Sequence, residues 1–167
     1  QQRFQISHHM KPSLNWLLLC LFLPLVACSQ KVSDQLKYLA QEPPASTPAI
    51  FAPGLISQDD EYEFGSVFNE DATEFFYGVD VNGKAEIRYS ALVGDKWSAP
   101  ETILSHEVYG YNDPFLSPDE KRLYFISQKA LKGPGAKKDY DIWYVEKQGD
   151  DWSEPINAGP NINTASD

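Results

Sequence analysis

Between about residues 60 and 160, apolar side chains come in short runs such as "EFFYGV" (74–79) and "RLYFIS" (122–127), each bounded by Asn, Asp, Gly or Pro. The runs are aromatic or β-branched and too short for ordinary helices, so they predict strands. They also repeat. Phe68-Asn69-Glu70-Asp71 aligns with Leu116-Ser117-Pro118-Asp119, and Glu74-Phe75-Phe76-Tyr77 with Arg122-Leu123-Tyr124-Phe125, at an offset of 48 residues. Glu86-Ile87-Arg88-Tyr89 aligns with Asp141-Ile142-Trp143-Tyr144, and "GDKWSAPE" (94–101) with "GDDWSEPI" (149–156), at an offset of 55. The seven extra residues fall between Phe125 and Ile142. Each unit predicts four strands, at 63–68, 74–79, 85–91 and 97–104, then at 111–116, 122–127, 140–146 and 152–158. Asn82-Gly83 predicts a type I′ hairpin turn, and Ser117-Pro118-Asp119-Glu120 a turn with proline where φ near −65° is wanted. Four antiparallel strands per unit at this period is the arithmetic of a β-propeller blade, a sandwich being the alternative.

The N-terminal pattern is different. Met10, the sole methionine, is followed by Lys11 and then by the apolar run Leu17 to Ala27, which is too short to cross the roughly 30 Å of a bilayer core. This is the layout of a secretory signal over 10–27, with 1–9 as upstream sequence and His8 and His9 no metal site. Leu25-Val26-Ala27-Cys28 resembles the bacterial lipobox. That resemblance implies lipidation of Cys28 and attachment to a membrane through it, and Ser29 after it implies the outer membrane, facing the periplasm. An ordinary signal peptide with Cys28 as a bystander is the alternative. Cys20 lies in the removed run, so the mature chain keeps one cysteine and forms no internal disulfide. From 28 to 57 the chain is polar and carries Pro43, Pro44, Pro48 and Pro53, the composition of a flexible linker with a span of roughly 30 Å.

Charge narrows the partners. The 167 residues hold 14 basic and 24 acidic side chains, a net charge of −10, and such a surface repels a phosphate backbone; no nucleic-acid partner is expected.

"SPDEKRLYF" (117–125), with the later "DIWYVE" (141–146) and "GDDWSEP" (149–155), resembles the WD-like β-propeller repeats of TolB-type periplasmic proteins. Their blades carry a Ser-Pro-Asp-Gly turn before an apolar strand. Glu120 stands at the glycine position, and the first unit has Asn69-Glu70 in place of Ser-Pro. The resemblance implies an all-β propeller of four-stranded antiparallel blades, with two blades and the start of a third over 58–167. A propeller needs about four to eight blades, so the chain is expected to be the N-terminal part of a longer one.

Strand parity places the loop 105–112 and the enlarged second-to-third hairpin "QKALKGPGAKKDY" (128–140) on one face. The candidate binding face is therefore Tyr109, Tyr111, Asn112 and Asp113 beside Lys129, Lys132, Lys137 and Lys138, suited to an anionic group. A solvated hairpin with no partner is the plainer alternative. Trp97 and Trp152 hold equivalent places and are read as packing residues rather than sugar platforms. Asp139-x-Asp141 and Asp150-Asp151 lack the glycine and distal Glu of a calcium loop, so no metal or cofactor is expected. His106 has no Gly-x-Ser-x-Gly partner, and no catalytic residue is assigned. Two functions remain in view. One is a non-enzymatic envelope lipoprotein binding or scaffolding a protein or glycan. The other is a propeller-based polysaccharide lyase or hydrolase with its catalytic residues beyond Asp167.

Overall fold

The computed structural model describes residues 33–164, less the side chains of Lys137 and Lys138. The upstream sequence, the expected signal and Cys28 lie outside the described residues. The described chain is all-β apart from two 3-10 turns, Asp34–Leu36 and Tyr38–Ala40. Strands β1 (Tyr62–Phe68), β2 (Glu74–Val81), β3 (Lys84–Val93), β4 (Lys96–Trp97) and β5 (Glu101–Leu104) form one antiparallel sheet. A second is formed by β6 (Tyr111–Leu116), β7 (Arg122–Lys129), β8 (Ala136–Gln148), β9 (Asp151–Trp152) and β10 (Ile156–Asn157). In each, successive strands are neighbours, and the two short last strands both pair with the third.

Two strand expectations need correction. The fourth strand, expected over 97–104 and 152–158, is broken in both sheets at Ser-Ala-Pro100 and Ser-Glu-Pro155, because proline brings no N–H to the ladder. The serine turns its side chain inward instead. Ser98 Oγ accepts from Ala91 N at 3.1 Å, and Ser153 Oγ from Glu146 N at 2.9 Å. The seven extra residues do not all go into a loop either. Lys129 pairs with Ala136, so three of the seven lengthen β8 relative to β3 and four enlarge the hairpin loop, which runs over 130–135 where the first sheet has Asn82-Gly83.

The turns repeat with the sequence. Ala72 and Glu120 hold φ of +55° and +56°, and Gly94 and Gly149 both +67°. Glycine would take that left-handed corner without the cost that a Cβ brings. Asn69 Oδ1 accepts from Thr73 N and Glu74 N in the first turn; Ser117 Oγ accepts from Arg122 N in the second. The turns also touch, since Glu120 Oε1 accepts from Glu70 N at 2.8 Å. The first strands meet at equivalent bulges, where Gly65 (φ +40°) faces Asp113 (φ +53°). A Cβ on Gly65 would lie 2.7 Å from Asp113 Oδ1, so the approach needs glycine.

Period-2 alternation divides the rings between two cores. Phe76 and Ile87 point from the first sheet to the second, meeting Leu116, Leu123, Phe125, Trp143 and Val145. Phe75, Tyr77 and Val79 point the other way. That outer face is covered by Leu39, Ala52 and Ile56, with Phe51 edge-on to Phe68 at 6.2 Å. The stretch expected as a flexible linker over 28–57 is thus, in its described part, laid on the first sheet. Trp97 packs in this outer core and donates Nε1 to Leu36 O at 2.6 Å. Trp152 packs edge-on against Phe76 at 5.9 Å, in the core between the sheets. Each tryptophan thus joins its own sheet to the layer before it, as a packing residue. Equivalence fails where Ser127 stands for Val79, Val145 for Ser90, and Trp143 for Arg88, which is paired with Glu61 at 2.7 Å and Glu86 at 2.9 Å.

Candidate functional site

A cavity of about 860 Å³ opens between the two sheets. Glu74, the first residue of β2, accepts from the Tyr89 hydroxyl at 2.7 Å and pairs with Lys147 Nζ at 3.2 Å, so one carboxylate ties β3 and β8 across the gap. Lys147 also lies 5.9 Å from the Trp152 ring. Five carboxylates, Glu74, Glu101, Asp150, Asp151 and Glu154, and two ammonium groups, Lys129 and Lys147, line the cavity.

At the other end His106 stacks on Tyr109, centroids 3.9 Å apart and planes 6° apart, and Tyr109 meets Tyr111 edge-on at 5.7 Å. Lys129 Nζ sits 5.7 Å from the Tyr109 ring and 5.4 Å from that of Trp143, a cation held by two ring faces. Burial raises the phenol pKa of Tyr89, and the Glu74 carboxylate on its hydroxyl adds to the effect. Tyr111 is raised by burial and by its neighbour Tyr109. Both hydroxyls therefore stay protonated and offer donor hydrogens rather than a base.

The structure distributes the sequence-derived candidates over several places. Tyr109, Tyr111 and Lys129 line this cavity, but the tyrosines are 5% and 4% exposed and belong to the core between the sheets. Asn112 and Asp113 line a second cavity of about 530 Å³, beside Tyr62, Phe64 and Tyr140. Lys132 is exposed on the 130–135 loop and lines neither cavity, although its neighbours Gly133 and Pro134 line the first. Lys137 and Lys138 fall on β8, and their side chains lie outside the described residues. Sequence reasoning missed Glu74 and Lys147. Each sits at a strand end in one repeat, and nothing in the spacing announces a bond between residues 73 apart.

Among the described residues, no group of three or more His, Cys, Asp or Glu side chains is placed to hold a metal ion, and no helix is long and apolar enough to cross a membrane. Fold and cavity together define an all-β protein of two antiparallel sheets stacked around a ring-walled, polar cavity. Comparison with models of known families, with curated proteins and with solved structures gives no match.

Proposed function

We propose that this chain is a non-catalytic binding or scaffolding protein of the bacterial envelope, anchored through a lipid on Cys28, whose repeated sheets are blades of a TolB-like propeller. One observation carries the reading: both sheets use the same face to meet the layer before them, Phe75 and Tyr77 in the first and Leu123 and Phe125 in the second. Modules that stack in one sense add by rotation, as propeller blades do. The rigid stack then serves to present loops 105–112 and 130–135 beside the cavity to a protein or glycan of the periplasm.

Photo-cross-linking in bacterial cells tests the binding half. A photoreactive residue in place of Lys132 is expected to capture one discrete envelope component, and the same residue in place of Asp95, on the turn between β3 and β4, none. Equal capture at both positions, or none at 132, overturns it. Fatty-acid labelling tests the anchor: Cys28→Ser is expected to abolish incorporation, and label retained by the variant removes the lipidation site.

A further inference from the structure

We infer that the cavity between the two sheets is a slot for a short extended peptide with free termini. The peptide adds as a strand along β5, with its amino end at Glu101 and Asp150 and its carboxylate at Lys129. Such a slot narrows the ligand of the binding protein proposed above and rests on that reading, but needs neither the anchor nor the propeller.

The lining gives the shape. Six consecutive residues of the first sheet's chain, 101–106, and six of the second's, 150–155, touch the cavity. Neighbouring side chains of an extended chain point to opposite sides, so a cavity that meets all six runs along the chain's edge rather than over one face. That edge is open, because β5 pairs with β3 and with no other strand. An open edge offers unpaired N–H and C=O groups to an extended chain laid beside it. The cap formed by residues 33–57 lies on the first sheet's far face. A module repeating the step from first sheet to second would lie on the second sheet's far face, so the gap between the two stays open.

Charge sets the direction. At one end Glu101 pairs with Tyr89 in the ladder, and the Tyr89 hydroxyl donates to Glu74. Burial, the Glu74 hydrogen bond and then the charges of Glu74, Glu101 and Asp150 raise that phenol, so three carboxylates stand round it. Lys147 at 3.2 Å answers Glu74 and leaves this end negative. At the other end Lys129 Nζ meets the rings of Tyr109 and Trp143, and no carboxylate among the described residues pairs with it. His106, stacked on Tyr109, uses Nδ1 to accept from Val108 N at 3.1 Å, so the neutral ring carries its hydrogen on Nε2. From Glu101 to His106 is roughly 17 Å of extended chain, the length of about five residues. A neutral sugar suits the slot less, because the rings it would stack on hold partners already: His106 on Tyr109 at 3.9 Å and Lys147 at 5.9 Å from Trp152.

Calorimetry on the purified full chain in detergent tests this with Thr-Val-Thr-Val-Thr, a pentapeptide of strand-forming residues. One saturable site is expected. Amidating the carboxylate or acetylating the amine is expected to weaken binding about fivefold each, the worth of one partly exposed ion pair. N-methylation of the inner amides is expected to abolish it. Lys129→Met should bind free acid and amide alike, and Glu101→Gln with Asp150→Asn should bind free and acetylated amine alike. No saturable heat with the free peptide overturns the inference, as does equal affinity for the capped forms, binding that survives N-methylation, or tighter binding of maltopentaose. A preference for the free acid that survives Lys129→Met also overturns it. If Lys129→Met loses its β circular dichroism, the capped peptides on the wild-type chain decide alone. Capture at position 132 in cells reads the loops and calorimetry reads the slot, so either can fail without the other.

Discussion

At the residue scale, left-handed backbone is the clearest mark of duplication. Gly94 and Gly149 share φ of +67°, and a Cβ built on either meets nothing within 4 Å. An alanine there would feel the backbone penalty alone, about 1–2 kcal/mol, partly offset by the stiffer unfolded chain. Gly94→Ala and Gly149→Ala are each expected to lower the unfolding free energy by about 1 kcal/mol, with near-additive effects in the double variant. Denaturant unfolding of the three variants checks both the size and the equality. The same geometry makes Glu120 an informative exception. It accepts the left-handed corner that glycine would fill freely, and its carboxylate gains the amide of Glu70.

At the scale of elements, the segment 33–57 separates what sequence pattern reveals from what it hides. Leu39→Ala is expected to cost about 2–4 kcal/mol in equilibrium unfolding, the usual loss for a buried leucine; a free tether would lose nothing. Strands β1 to β3 and β6 to β8 were legible because each alternates apolar side chains between two faces within a few residues, as Phe75, Phe76 and Tyr77 do. The cap was not, because Leu39, Ala52 and Ile56 reach the sheet from irregular backbone with no period to read. Prolines that signal a linker also suit an extended segment lying on a surface. The sequence places Tyr109 and Tyr111 at a loop between strands, where exposure is the usual outcome. Their burial comes from packing with Phe125 and Trp143 in the core between the two sheets, a tertiary event. Lys129 was legible as a charge near rings, whereas the bond from Lys147 to Glu74 depends on how two sheets stack.

For the molecule as a whole, burial of phenols couples the stack to alkaline pH. Tyr77, Tyr89 and Tyr111 all have pKa values raised above the ordinary 10, each chiefly by burial. The folded state keeps these protons after the unfolded chain releases them. Their contribution to stability is therefore complete below pH about 10 and declines as pH rises from there through the folded-state values. Phenolate absorbance in the near ultraviolet should show three tyrosines ionising late, together with unfolding. Tyr89→Phe should remove one of them and flatten the fall of the unfolding midpoint above pH about 10. The bond between Glu120 and the amide of Glu70 bears on how the molecule could have grown. Moving one repeat forward from Glu70 arrives at Pro118, whose nitrogen has no hydrogen; moving one repeat back from Glu120 arrives at Ala72, whose side chain has no oxygen to offer. The clasp closes in one direction only. Transposing the two modules would leave it with nothing to fasten, so their order along the gene is written into the protein's chemistry as well as its history.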